Sequence, residues 1–134
     1  MHKRIILLFG LIILMLLLVG CHMKQEKAWE ETLATANQKI AENEKLAANI
    51  DRIELERRQF IRVYIKPQKA KISFQKLTLE VGKIVGEALF SNPGNSMKEL
   101  TIFGNLVDGD ELIVCKYTKE TGIVLEKDRT MLTM

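Results

Sequence analysis

Apolar residues follow three different spacings along the 134-residue chain. From Ile5 to Val19 they form a run that only Gly10 interrupts. From Met23 to Arg58 they recur at steps of three and four among good helix formers, without glycine or proline, which predicts one long helix. After Phe60 the period shortens to two, which indicates strands. The pattern therefore predicts an α+β protein divided into segments 1–20, 21–59 and 60–134.

The helical segment carries a narrow apolar stripe that one helix cannot bury alone. Its spacing is heptad-like, as in a coiled coil, and it passes through Asn43. A continuous helix here would be on the order of 50 Å long at 1.5 Å per residue, so we expect a stalk. The stripe can pair with a second copy in a homo-oligomer, bind another protein or fold back on the C-terminal segment. Its candidate interface residues are Leu33, Ile40, Leu46, Ile50 and Ile53.

The C-terminal segment predicts a small head domain with one helix packed on an antiparallel sheet. A first strand covers 61–65, where Ile61, Val63 and Ile65 alternate with polar residues, and Pro67 ends it. Ile72 and Phe74 indicate a short second extended piece.

The rest of the head predicts a helix and then a three-stranded meander. Apolar residues over 77–89 return at helical spacing, and Gly82 and Gly86, one turn apart, favour close packing of this helix on a sheet. Turns at Asp108-Gly109-Asp110 and over 119–122 separate the last three strands.

The beginning of the chain has the layout of a secretory signal. Lys3 and Arg4 precede the apolar run, which is shorter than the roughly 20 residues that span a bilayer. The residues Leu18-Val19-Gly20-Cys21 resemble the lipobox of bacterial lipoproteins. This resemblance implies cleavage between Gly20 and Cys21, a diacylglycerol thioether on Cys21 and acyl chains such as palmitate. The alternative is an uncleaved signal anchor with Cys21 as an ordinary thiol.

Charge excludes some partners and leaves others open. The net charge is +3, and the loss of residues 1–20 with Lys3 and Arg4 leaves +1, which gives no support to nucleic-acid binding. One stretch is locally basic, either because lysines guard a strand edge or because it contacts an acidic partner or anionic lipid head groups. The candidate contact residues are Arg62, Lys66, Lys69, Lys71 and Lys76.

The residue types argue against an enzyme. Both histidines, His2 and His22, lie near the beginning of the chain, so the head has no histidine for a nucleophilic triad or a zinc site. Cys115 lies in an apolar run and is expected to be a buried thiol. No phosphate-binding glycine motif occurs. We therefore expect no catalytic residue, no metal and no cofactor.

These features together predict a lipid-anchored protein of the cell envelope. Cys21 would attach it to the membrane, in the outer membrane if the cell has one, because no aspartate follows the cysteine. The expected role is that of a tether or interaction module in an envelope protein assembly, with other envelope proteins as partners. The alternatives are an accessory lipoprotein of a mobile element, acting in conjugation, surface exclusion or phage exclusion, and an inhibitor of an envelope enzyme.

Overall fold

The structure, a computed structural model, describes residues 24–109 and 111–128. The predicted signal peptide and Cys21 lie outside these residues. The described chain begins with helix α1 over 24–42. The other elements are α2 (Glu44–Asn49), β1 (Ile50–Glu56), β2 (Phe60–Ile65), α3 (Lys71–Phe90), β3 (Glu99–Leu106), β4 (Glu111–Thr118) and β5 (Gly122–Asp128). None of the helices in this part of the chain has the length and apolar character that a membrane crossing needs.

The five strands form one mixed sheet in the order β1-β2-β3-β4-β5. Strands β2 and β3 are parallel, with Ile61 beside Ile102, and the other neighbours are antiparallel. The α+β class is confirmed, but the expected antiparallel sheet is mixed. The reason is that α3 carries the chain across the sheet between β2 and β3, and such a crossover makes the two strands parallel.

Helices α1 and α3 share one face of the sheet and run in opposite directions. Near the beginning of α1, Gln25 Oε1 accepts a hydrogen bond from Ser96 N, just after α3, at 2.6 Å. Farther along, Glu31 accepts one from Asn92 Nδ2 at 2.8 Å. Buried residues of both helices form one core with the sheet. The second face of the sheet has no helix over it among the described residues.

The predicted helix over 23–58 is wrong in its last part, because Ile50–Glu56 is a strand. Ile53 and Leu55 alternate with glutamates, so the apolar residues fit a period of two as well as a helical period. Their pairing with Val63 and Ile61 places both on the helix side of the sheet. A β-hairpin with β2 therefore overrides the helical propensity of this stretch.

A helix break at Asn43 precedes this strand. Asn43 has an extended backbone, with φ −99° and ψ 112°, and its side chain accepts a hydrogen bond from Leu46 N at 3.1 Å. Asparagine is a preferred N-cap because it satisfies a free N–H at the beginning of a helix. The break turns the chain back toward the sheet.

The five predicted stalk residues all lie in or against the core of the same chain. Ile40, Leu46 and Ile50 are buried, and Leu33 and Ile53 are partly buried against them. This corresponds to the fold-back alternative. The boundary predicted near residue 59 lies in the turn between β1 and β2, and both strands belong to one sheet.

The packing of α3 agrees with its two glycines. A Cβ on Gly86 would lie 2.4 Å from the ring of Tyr117, and one on Gly82 would lie 2.8 Å from Ile123 Cδ1. The extended piece predicted at Ile72 and Phe74 is wrong. Phe74 is fully buried and continues the helical stripe of α3, while Ile72 is exposed.

Candidate interaction surface

The residues of the predicted basic surface do not form one cluster. Arg62 lies within β2, and its side chain contacts Glu56 and Asn105. Lys66 and Lys69 follow the end of β2, and Lys76 is exposed on α3. Lys71 is the first residue of α3, and its side chain lies outside the described set. The structure thus separates Arg62 from the lysines.

The sheet face that no helix covers among the described residues centres on Arg62. Arg62 Nη2 and Nε donate to Glu56 Oε2 at 2.7 and 3.0 Å, and Nη1 donates to Asn105 Oδ1 at 3.0 Å. The side chain of Asn105 is buried and donates onward to the carbonyl of Gly109 at 2.9 Å. Because the guanidinium is held from two sides, its position is fixed and its charge is matched by Glu56.

Aromatic rings extend this face on both sides of Arg62. Its guanidinium lies 5.0 Å from the ring centroid of Phe103, and Phe60 meets Phe103 edge to face at 5.6 Å. Near the other end of β1, the guanidinium of Arg52 lies 3.9 Å from the ring centroid of Tyr64. These cation–π and ring contacts hold partly exposed aromatic groups in fixed orientations. We call this surface, made of residues 52, 60, 62, 64 and 103, the open face.

The neighbouring strands continue the face with paired charges. Lys116 on β4 contacts Glu99 at 3.0 Å and Glu126 at 3.2 Å. The hydrogen bond to Glu99, and then that to Glu126, raise the pKa of Lys116. Cations and carboxylates thus alternate on this side of the sheet and neutralise one another.

The turn between β1 and β2 has an unusual backbone for its residue types. Arg57 and Arg58 have φ values of +52° and +58°, and Gln59 N donates to the Glu56 carbonyl at 3.2 Å. The loop between the paired residues Glu56 and Phe60 has three residues, and its two left-handed positions favour asparagine or glycine, because a side chain in the left-handed region costs about 1–2 kcal/mol. A shallow cavity of about 190 Å³ lies beside this turn, lined by Glu56, Arg57, Phe60, Arg62 and Phe103.

A larger groove of about 450 Å³ lies between α1 and α3 and is lined mainly by polar residues, including Thr32, Lys39 and Glu87. Thr32 is buried, and its hydroxyl has no hydrogen-bond partner within the described structure, as is true of Trp29 Nε1. Buried polar groups of this kind usually bind water. The groove is open to solvent, and the Ser91 hydroxyl in its lining donates to the backbone carbonyl of Glu87 at 2.5 Å.

Cys115 lies under the helices, as expected from its apolar strand. It is fully buried, and its burial, together with Glu126, raises the pKa of the thiol to about 12. A reactive cysteine requires the thiolate. Among the residues that the structure describes, no three side chains of His, Cys, Asp or Glu are grouped closely enough to hold a metal ion.

Comparisons of the chain with protein-family models, with curated proteins and with solved structures gave no match. The chemistry of the open face is therefore the basis for its role. Sequence reasoning did not find it, although Phe60, Arg62 and Tyr64 stand at alternate positions of a predicted strand. The missing information was that, in the part of the chain that the structure describes, the helices all lie on the opposite side of the sheet.

Proposed function

We propose that this protein is a lipid-anchored interaction module of the bacterial cell envelope, held to the membrane through Cys21. The observation that carries the proposal is the motif Leu18-Val19-Gly20-Cys21 at the end of an apolar run. No other segment offers a comparable attachment signal. Two or more acyl chains anchor a protein firmly, whereas one chain binds reversibly.

The anchor would hold the domain close to the bilayer. The described fold begins at Lys24, three residues after Cys21, and three residues reach at most about 10 Å. In this proposal α1 belongs to the head, and no long stalk separates the head from the lipid. The tether is therefore short, and the domain acts at the membrane surface.

The open face is the surface that we assign to a protein partner. Its guanidinium groups are already matched by Glu56 and Glu54, which disfavours a phosphate or another free anion as the ligand. Aromatic and arginine side chains in fixed positions are enriched among residues that dominate protein interfaces. A neutral, preorganised face of this kind supports binding to the surface of another envelope protein.

The anchor is tested by fractionation of cells that produce the full chain. We expect Cys21→Ala to leave the membrane fraction or to accumulate as uncleaved precursor, because no thioether can form. Cys115→Ala is the matched control and should remain lipid-anchored. Membrane retention of correctly cleaved Cys21→Ala would contradict the anchor.

The partner surface is tested by placing a photo-crosslinking amino acid at Thr101, on the open-face side of β3, in the full chain. Irradiation of living cells should yield a discrete crosslinked envelope protein. The matched control is the same amino acid at position 83. Lys83 is exposed on α3, which packs on the opposite face of the sheet. Equal crosslinking from both positions would contradict a role for the open face.

A further inference from the structure

Four segments meet at the end of the domain where α1 begins. The Arg58 side chain in the β1–β2 turn pairs with Glu26 in the first turn of α1. Ser96, in the connection between α3 and β3, donates to Gln25. The register of β3 and β4 places Glu99 beside Thr118, so the β4–β5 turn lies at this end as well. We call segments 24–27, 57–59, 91–98 and 119–121 the anchor end.

The anchor end carries more cations than carboxylates. Its cations are Lys24, Lys27, Arg57, Arg58, Lys98 and Lys119, all exposed, whereas its carboxylates are Glu26 and Glu120. Two further carboxylates adjoin it, because Glu31 accepts a hydrogen bond from Asn92 and Glu30 lines a cavity together with Arg58. Glu56 and Glu99, just beyond these segments, contact Arg62 and Lys116 on the other side of the sheet. The chain as a whole is nearly neutral, so this concentration is a local feature.

The backbone of the β1–β2 turn supports a functional role for these charges. Arg57 and Arg58 occupy left-handed positions where asparagine and glycine are favoured. Backbone strain of this kind persists where the surrounding structure supports it and is found at functional sites. Here it places two arginines beside each other at the tip of a hairpin.

We propose that the anchor end lies on the anionic head groups of the membrane and orients the whole domain. This inference rests on the proposed lipid at Cys21, which would enter the bilayer beside Lys24. Clusters of lysine and arginine next to a membrane attachment bind anionic lipids, and each cation near the surface strengthens binding about fivefold. The strands then stand upright on the bilayer, and the open face points sideways.

The basic residues at the other end serve as the internal control. Lys66 and Lys69 follow the far end of β2, a strand of six residues that measures roughly 20 Å. This exceeds the Debye length of about 8 Å at physiological ionic strength. An upright domain therefore keeps Lys66, Lys69 and Lys76 away from the surface potential.

The test is lysine labelling of the full chain purified from membranes and reconstituted into vesicles. One set of vesicles is phosphatidylcholine, and the other contains phosphatidylglycerol in addition. Mass spectrometry follows acylation of each lysine with an amine-reactive reagent. In the anionic vesicles we expect Lys24, Lys27, Lys98 and Lys119 to react about fivefold more slowly than in neutral vesicles, and high salt to abolish the difference.

Other labelling patterns would overturn the inference. Protection that is equal in neutral and anionic vesicles would show proximity without electrostatic contact, and protection of Lys66, Lys69 and Lys76 would show the reverse orientation. The triple variant Lys24→Glu, Lys27→Glu and Arg57→Glu should lose the protection at Lys98 and Lys119. The matched variant Lys66→Glu, Lys69→Glu and Lys76→Glu should keep it, and circular dichroism checks that both are folded.

The same spectra separate this inference from the proposed function. They contain the peptide that includes Cys21. Lipid-modified Cys21 together with unprotected anchor-end lysines would refute the orientation alone. A Cys21 peptide without lipid would refute the lipid anchor itself.

Discussion

Gly86 is the residue at which side-chain size most directly limits the packing of α3 on the sheet. An alanine in a helix is favoured over glycine by about 1 kcal/mol, but a clash in a packed core costs about 1–3 kcal/mol. Because a Cβ at this position would lie within 2.4–2.7 Å of three Tyr117 ring atoms, the cost of the clash should exceed the gain in helix propensity. We expect Gly86→Ala to lower the free energy of unfolding by about 1 kcal/mol in urea denaturation.

The control is the same substitution in a Tyr117→Ala background. There the obstructing ring is absent, so Gly86→Ala should raise the free energy of unfolding by up to about 1 kcal/mol. The same sign in both backgrounds would contradict the close contact.

The number of reactive thiols per chain reports on both Cys21 and Cys115. The chain has two cysteines, and a thioether at Cys21 leaves one thiol. We expect a thiol reagent at pH 8 to detect almost none in the folded, detergent-solubilised protein and one per chain after denaturation. Two thiols in denaturant would show that Cys21 is unmodified, and rapid reaction of the folded protein would contradict the burial of Cys115.

The raised pKa of Cys115 also gives a pH dependence. The folded chain retains a proton to about pH 12, whereas the unfolded thiol releases it near pH 8.5. Since the folded state binds more protons between these values, the free energy of unfolding falls as pH rises above 8.5. Cys115→Ala should show a shallower fall over the accessible alkaline range in matched urea titrations. Parallel curves would contradict the shift.

At the scale of elements, segment 44–56 shows why a regular pattern can be misinterpreted. Leu46, Ile50 and Ile53 are spaced as on a helix, yet Ile50 and Ile53 are in a strand that pairs with β2. The alternation over 53–56 fits both periods, and only the pairing with Phe60–Ile65, which is distant in the helical interpretation, decides between them. Local patterns predicted the helix over 77–89, the strand at 61–65 and the last three strands, because those depend on neighbouring residues.

The parallel pairing and the open face could not be predicted in this way. The parallel pairing depends on how α3 crosses the sheet between β2 and β3. The open face depends on where α1 lies, and the stripe of α1 was compatible with pairing to a copy, to a partner or to its own sheet. The apolar stripe of α1 indicates that this helix packs against an apolar surface, but it does not indicate which surface that is. Hence the site residues at Arg52, Phe60, Tyr64 and Phe103 were missed.

A substitution at Ile50 tests whether this segment belongs to the core of the domain or to a coiled-coil interface. It is buried at the junction of α2 and β1, so Ile50→Asp places a carboxylate in the core without a partner. We expect the free energy of unfolding to fall by about 3 kcal/mol or more, with loss of the circular dichroism of the folded state. Ala47→Asp, on the exposed side of α2, is the control and should change stability by no more than about 0.5 kcal/mol.

Sedimentation of the same two variants measures the size of their assemblies. A folded Ile50→Asp protein whose only defect is a smaller assembly would contradict the fold-back arrangement and favour self-pairing along the helix.

At the scale of the whole molecule, the domain is a helical layer on a mixed sheet whose second face displays aromatic residues and matched charges. The basic anchor end, which the proposed lipid at Cys21 would adjoin, lies at one end of the domain, and the predicted lysines at 66, 69 and 76 lie toward the other end. A short tether and an upright domain would point the open face sideways, along the membrane plane, where other envelope proteins can reach it.

The attachment of lipid to Cys21 is the central claim, and mass spectrometry of the N-terminal peptide of protein extracted from membranes tests it most directly. We expect a peptide that begins at Cys21 and carries the added mass of a diacylglycerol thioether. A main species that retains Met1 or Lys3, or one that begins at Cys21 without added mass, would contradict it.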